Sequence, residues 1–161
     1  MSVASLAGMD ATLGPQRKAI RVGRHPVTVS RELLAELYAE VPEIECRQQC
    51  QRYCENIMMA GPEFDRIVAT LGFTPRSDPG CPARCPMLTT EGLCSVRDIR
   101  PLICRLWGVT ETMQCPWGCR PERYLTEAEA FALLLRSGAF AFGPMEKEAA
   151  MEFAQKVARQ S

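Results

Sequence analysis

The side chains in this sequence with the most distinctive chemistry are its cysteines, which number nine in 161 residues. Three of them form an upstream run with four-residue spacing, Cys46, Cys50 and Cys54. The other six lie between positions 81 and 119: Cys81, Cys85, Cys94, Cys104, Cys115 and Cys119. Thiols at this density in a short chain either form disulfides with one another or bind a metal.

The choice between disulfides and metal depends on the redox environment. The N-terminal residues lack the charged start and apolar run of a secretory signal, and no stretch is apolar for long enough to span a membrane. We therefore expect a cytoplasmic protein with no membrane partner, in which cysteines indicate metal binding or redox chemistry rather than structural disulfides. The odd number of cysteines also fits a closed set of disulfides poorly.

The spacing of the upstream cysteines is that of a helix, because residues i, i+4 and i+8 lie along one face. It predicts a helix that begins near Glu43 and presents three sulfurs in a stripe. Neighbouring sulfurs are then one turn apart, whereas the outer two are about 12 Å apart along the axis. Two of them can share a metal ion, and all three can reach a larger cluster only if the helix unwinds locally. The alternative is buried free thiols, although the neighbouring residues are mostly polar or charged.

The downstream cysteines lie in segments that can hold a sulfur in a fixed position. A β-hairpin is predicted at 87–96, and a short helix is predicted to begin at Pro101. Proline and glycine flank the two outer pairs and leave backbone amides free to face sulfur. Free buried thiols are again the alternative. Together the two groups predict eight metal ligands: Cys46, Cys50, Cys54, Cys85, Cys94, Cys104, Cys115 and Cys119.

The stretch CPMLTTEGLCSVRDIRPLICRLWG resembles the core motif of the YkgJ-like cysteine-cluster family, whose members are regarded as zinc- or iron-chelating domains. The family motif has a cysteine, a glycine-containing hairpin, a second cysteine, an Arg-Pro step and a Cys-Arg pair. These places are occupied here by Cys85, Cys94, Arg100, Pro101, Cys104 and Arg105. The resemblance extends over residues 46–108 and implies a cysteine-bound metal. The adjacent cysteine pair of the family is absent, because Tyr53 precedes Cys54.

Thiolate ligands suit both zinc and iron–sulfur clusters, and the sequence leaves the choice between these two cofactors open. Eight thiolates can form two closed zinc sites of four cysteines each, or four of them can hold a four-iron cluster. Every basic residue from 46 to 123 is arginine. This pattern either reflects a composition bias or supplies hydrogen-bond donors to metal-bound thiolates, in which case Arg100 and Arg105 are the predicted donors.

The rest of the sequence predicts a mainly α fold, a small helical domain around a loop-rich, cysteine-ligated metal centre with one short β-hairpin. Residues 1–16 are expected to be a flexible tail, and 17–161 a single metal-binding domain whose cysteine core is 46–119. A short strand is predicted at 18–23, and His25, beside a proline, is expected to be exposed rather than a ligand. Amphipathic patterns and capping signals predict further helices at 31–41, 62–71, 101–107, 126–138 and 144–160.

These observations predict a metal-binding protein that holds zinc or an iron–sulfur cluster through cysteine thiolates, in a structural or redox role. The alternative is a cluster-dependent enzyme component in methyl or electron transfer, since flagellin lysine N-methylases carry similar cysteine clusters. No catalytic constellation is recognised, because the chain has one histidine and no glycine-rich nucleotide loop. The net charge of zero indicates neither nucleic acid nor an anionic membrane as a partner, so the metal ion is the partner that the sequence predicts.

Overall fold

A computed structural model describes residues 29–140 and 143–160. This part of the chain is mainly helical, as predicted, and contains one short antiparallel hairpin. Its elements are α1 (Arg31–Ala39), α2 (Gly61–Leu71), α3 (Leu102–Leu106), β1 (Val109–Thr110), β2 (Met113–Gln114), α4 (Glu127–Arg136) and α5 (Lys147–Ala158). The predicted tail at 1–16, the predicted strand at 18–23 and His25 lie outside the described residues.

Local capping signals mark the ends of the helices. Ser30 caps α1 by accepting a hydrogen bond from the backbone N–H of Leu33, and Thr126 opens α4 in a capping box with Glu129. The last helix begins at Lys147 and not at 144 as predicted. A tertiary hydrogen bond accounts for the later start. The backbone N–H of Met145 donates to the carbonyl oxygen of Leu135 at 3.0 Å, and this holds Met145 outside α5.

The predicted helix through Cys46, Cys50 and Cys54 is wrong. Residues 43–60 contain a single 3-10 turn, Gln51–Tyr53, and are otherwise irregular. Gln48 has a φ of 58°, which a right-handed helix does not permit. The segment pairs with a distant loop instead, since the N–H of Cys85 donates to the carbonyl oxygen of Cys54 at 3.1 Å.

The hairpin lies further along the chain than predicted. In the sheet, β1 pairs with β2 with Val109 opposite Gln114 and Thr110 opposite Met113. The predicted hairpin at 87–96 is reduced to one isolated bridge between Leu88 and Cys94, around a turn at Gly92 that has a φ of 80°. The chain then enters a 3-10 turn at 97–99 and so does not extend the ladder.

Most of the buried apolar side chains among the described residues form three clusters. The first joins α1, α3, β1 and α4, and the third joins α4 to α5. The second surrounds Ile67 of α2 and includes Met87, Val96 and Cys85, with Cys54 and Cys94 packed against it. Three of the predicted ligands therefore lie in or against a small apolar core. In the described residues, every helix is too short or too polar to cross a bilayer.

A buried carboxylate connects the helical part to the cysteine-bearing segments. Glu63, in the first turn of α2, is 3% exposed and accepts a hydrogen bond from the hydroxyl of Tyr38 at 2.8 Å. It also accepts hydrogen bonds from the backbone N–H groups of Leu102 at 2.7 Å and Ala60 at 2.9 Å. The side chain thereby links α1, α2 and the start of α3, the helix that carries Cys104.

Candidate metal centre

All nine cysteines are free thiols in the structure. Eight of them are the predicted ligands, and their surroundings divide them into two groups of four. We call Cys54, Cys85, Cys94 and Cys104 the hairpin group, and Cys46, Cys50, Cys115 and Cys119 the pocket group. Each group combines residues from distant parts of the chain, so neither is visible from local spacing.

The hairpin group is assembled by backbone pairing and by α3. The N–H of Cys85 donates to the carbonyl oxygen of Cys54, and Cys94 faces Leu88 across the isolated bridge. Cys104 lies in α3, close enough to the other three thiols to interact with each of them electrostatically. Three parts of the chain, at Cys54, at the Cys85–Cys94 turn and at Cys104, therefore bring four thiols near one another.

Burial and mutual repulsion both disfavour thiolates in the hairpin group. Burial raises the pKa of Cys104 to about 12, and the neighbouring Cys85, Cys94 and Cys54 thiols act in the same direction, against the positive charge of Arg100. Burial likewise raises the pKa of Cys54 to about 11, and Cys50, Cys85 and Cys94 add to the effect. A bound cation would reverse this balance, because its charge deprotonates coordinating thiols.

The pocket group lines a single cavity of about 20 Å³, together with Trp107, Trp117, Arg100 and other residues. The pKa of Cys50 is raised by burial and by Cys46, with a smaller contribution from Cys115. Burial acts to raise the pKa of Cys115 as well, but hydrogen bonds from the backbone of Trp117 and from Cys119 lower it overall. These interactions place all four thiols of this group near one another.

Arginines surround both groups, but only partly as predicted. Arg100 is near a thiol of each group, since its charge acts to lower the pKa of Cys104 and of Cys50. Arg105 instead donates to the backbone carbonyl oxygens of Arg100 at 2.9 Å and Asp98 at 3.1 Å. It therefore fixes the loop that leads into α3.

A third arginine, Arg97, was not singled out by the sequence. Its guanidinium donates to Cys46 Sγ at 3.9 Å, and the same sulfur accepts the backbone N–H of Gln48 at 3.4 Å. The sequence feature that could have pointed to Arg97 is the absence of lysine and histidine between 46 and 123. That feature does not distinguish one arginine from another.

An aromatic wall adjoins the pocket group, and sequence reasoning missed it. The ring of Tyr53 stacks on Trp107 with centroids 5.9 Å apart and meets Trp117 edge-on at 5.8 Å. The guanidinium of Arg52 lies over the rings of Tyr53 and Trp117, at 5.0 and 5.6 Å from their centroids. The indole N–H of Trp107 is buried without a hydrogen-bond acceptor.

The ninth cysteine, Cys81, is exposed in a tight turn in which it pairs with Asp78. Throughout residues 29–140 and 143–160, no three cysteine, histidine, aspartate or glutamate side chains are arranged as they stand to ligate one ion. The thiols of each group are thus neighbours whose side chains must rotate before they can bind together. No protein-family model, curated protein or solved structure matches this chain.

Proposed function

We propose that this protein binds zinc or an iron–sulfur cluster through eight cysteine thiolates, those of the hairpin group and the pocket group. The observation that carries the proposal is the hairpin group, in which Cys54, the Cys85–Cys94 turn and Cys104 come from three separate parts of the chain. If these thiols were only buried side chains of the core, there would be no reason for four of them to lie together. A set of four thiolates is the donor set of structural zinc sites and of iron–sulfur clusters.

The surroundings of the thiols fit the charge of such a site. Four thiolates around a divalent ion carry a net negative charge, which nearby hydrogen-bond donors and cations stabilise. Arg97 and Arg100 lie near these sulfurs, and no acidic side chain lines the pocket. A reducing compartment such as the cytoplasm would keep the thiols available for metal.

We propose a structural role for the metal before a redox one. The apolar cluster around Ile67 has only four buried members, and two of the predicted ligands pack against it as partly buried residues. A cluster of this size stabilises the loops between α2 and α3 only weakly, whereas metal–thiolate bonds supply folding free energy directly. Because the ligand side chains must rotate to converge, metal binding and ordering of these loops are expected to be coupled.

Elemental analysis and a UV–visible spectrum of protein purified without oxygen test this proposal. About two zinc ions per chain with no visible absorbance would support two four-thiolate zinc sites. Iron with acid-labile sulfide and a broad band near roughly 400 nm would support a cluster and favour the alternative, a component of methyl or electron transfer. Protein that binds neither metal after reconstitution would overturn the proposal.

A further inference from the structure

The cavity at the pocket group is small. Its volume of about 20 Å³ leaves room for about one water-sized sphere between the four cysteines and the aromatic wall. A single metal ion fits such a space. A four-iron cluster would have to displace the side chains that line it. With the lining side chains as they stand, the size of the cavity favours one ion at this group.

Trp107, which lines the same cavity, carries an unpaired hydrogen-bond donor. Among the buried side-chain nitrogen and oxygen atoms of the described residues, Trp107 Nε1 is the one without a partner. Indole nitrogen is a donor only, and a buried donor that lacks an acceptor destabilises the fold. Four thiols line the cavity together with Trp107, and a metal-bound thiolate is a much better acceptor than a neutral thiol.

We propose that the pocket group is a separate site for one thiophilic divalent ion, and that the indole N–H of Trp107 donates a hydrogen bond to a thiolate of that site. The inference rests on the proposed function, thiolate metal binding, and adds to it the partition of the ligands, the number of ions and a specific donor. Cys46, Cys50, Cys115 and Cys119 are the ligands of this ion. Trp107 acts as a positioning residue, since it contacts sulfur and not the metal.

The position of the pocket group also distinguishes it from the hairpin group. The cavity is rimmed by the exposed side chains of Arg47, Gln48 and Gln49. A chelator in solution therefore has a direct approach to this ion. Three thiols of the hairpin group, those of Cys54, Cys85 and Cys94, instead pack in or against the cluster of Ile67. We expect zinc to leave the pocket group first when a chromogenic chelator is added.

The test uses the full chain loaded with Zn²⁺ and compares Trp107→Phe with Trp117→Phe. The first substitution keeps a ring in the wall and removes the N–H, and the second is the matched control at the other indole. Competition with a chromogenic zinc chelator should show one of two zinc ions bound 10–100-fold more weakly in Trp107→Phe, the usual effect of removing a partner of a metal ligand. The loss of affinity should be clearly smaller in Trp117→Phe, because Trp117 also lines the cavity but its indole N–H is not among the buried groups without a partner.

A second measurement on the unmodified protein makes the result independent of how Trp107→Phe folds. The chain has two tryptophans, so a ¹⁵N-labelled sample gives two indole N–H resonances that the variants assign. On addition of Zn²⁺, the Trp107 resonance should shift downfield and its hydrogen exchange should slow. An unchanged resonance in zinc-loaded protein would overturn the assignment of Trp107 as a donor.

Cys46→Ser separates failure of this inference from failure of the proposed function. This variant should lose the zinc ion of the pocket group and keep that of the hairpin group. Addition of the chelator should then show only the slower release, which belongs to the hairpin group. Protein that keeps both ions in this variant, or that holds iron and sulfide at the pocket group, would overturn the single-ion site while leaving thiolate metal binding intact. A chain that binds no metal at all would overturn both.

Discussion

The helical part of the molecule and its cysteine-rich middle are stabilised in different ways. In the first, α1, α4 and α5 bury regular apolar faces, and side chains such as Leu37 and Leu135 are fully buried. In the second, between α2 and α3, the chain is a succession of turns with isolated bridges. Packing therefore fixes the first region, and under the proposed function metal–thiolate bonds would fix the second.

The largest difference between the two regions should appear when a ligand of the hairpin group is removed. We expect Cys104→Ser to lower the metal content and the thermal stability together, because metal–thiolate bonds contribute about 10–16 kcal/mol of apparent binding free energy in small zinc domains. Cys81→Ser is the control, since Cys81 is exposed in its turn and outside both groups. Metal analysis and calorimetry measure both quantities. An unchanged metal-to-protein ratio in Cys104→Ser would remove this residue from the site.

A core substitution in the helical part should lower the stability of the protein without changing its metal content. Leu37 of α1 is fully buried in the first cluster, so Leu37→Ala should lower the free energy of unfolding by about 2–5 kcal/mol. The metal stoichiometry of the folded protein should not change. Chemical denaturation and elemental analysis on the same sample check the two statements. Loss of metal in proportion to the loss of stability would show that the regions are not separable.

The buried carboxylate of Glu63 connects the two regions through its hydrogen bonds. Glutamine has nearly the shape of glutamate, but its amide N–H₂ would replace one of the two carboxylate oxygens. That N–H₂ group would then lie opposite the donors of Tyr38, Leu102 or Ala60. We expect Glu63→Gln to lower the free energy of unfolding by about 1–3 kcal/mol and to weaken metal binding slightly through α3. Tyr38→Phe, which removes one donor and leaves no unpaired atom on the tyrosine side, should be milder. Equal stability of Glu63→Gln and the unmodified protein would exclude this linkage.

The smallest effect is expected at an ion pair within the helical part. Arg136 is 8% exposed and donates two hydrogen bonds to Glu40, at 2.7 and 2.8 Å, which lower the pKa of that carboxyl below its ordinary 4.5. The stabilisation is therefore complete above that value and is lost as the pH falls through the lowered pKa. We expect Glu40→Gln to cost at most about 1 kcal/mol at neutral pH, because the carboxylate is partly exposed.

Thermal unfolding followed from neutral to acid pH measures this contribution. The difference in Tm between the unmodified protein and Glu40→Gln should shrink as the carboxyl is protonated. Metal content at neutral pH should be the same in both proteins. A difference in Tm that stays constant across the acid range would assign the effect to something other than the charge of Glu40.

The features that sequence analysis located correctly carry their own local signals. Ser30 and Thr126 begin helices and Gly72, with a φ of 74°, ends one, and each acts within a turn of its position. The helix expected through 43–60 failed because four-residue spacing of cysteines imitates a helical face. Apart from the two cysteines, residues 45–52 are all polar or charged, and Gln48 has a φ of 58° that a right-handed helix does not permit.

The features that were missed depend on long-range pairing or have too short a sequence pattern to be recognised. The division of eight thiols into two groups follows from contacts such as that between Cys54 and Cys85, which no local pattern encodes. The β1–β2 hairpin has strands of two residues, too short to show alternation. The unpaired indole of Trp107 is a property of the packed molecule and has no counterpart in the sequence.

The exposed turn that carries Cys81 makes the protein convenient to label. If the other eight thiols are held by metal, a maleimide should react once per chain, and nine times after the metal is stripped under denaturing conditions. The number of reagent equivalents consumed then reports how fully a preparation is loaded. A dye attached at this one position would also report on the loop that leads to Cys85 without replacing any ligand.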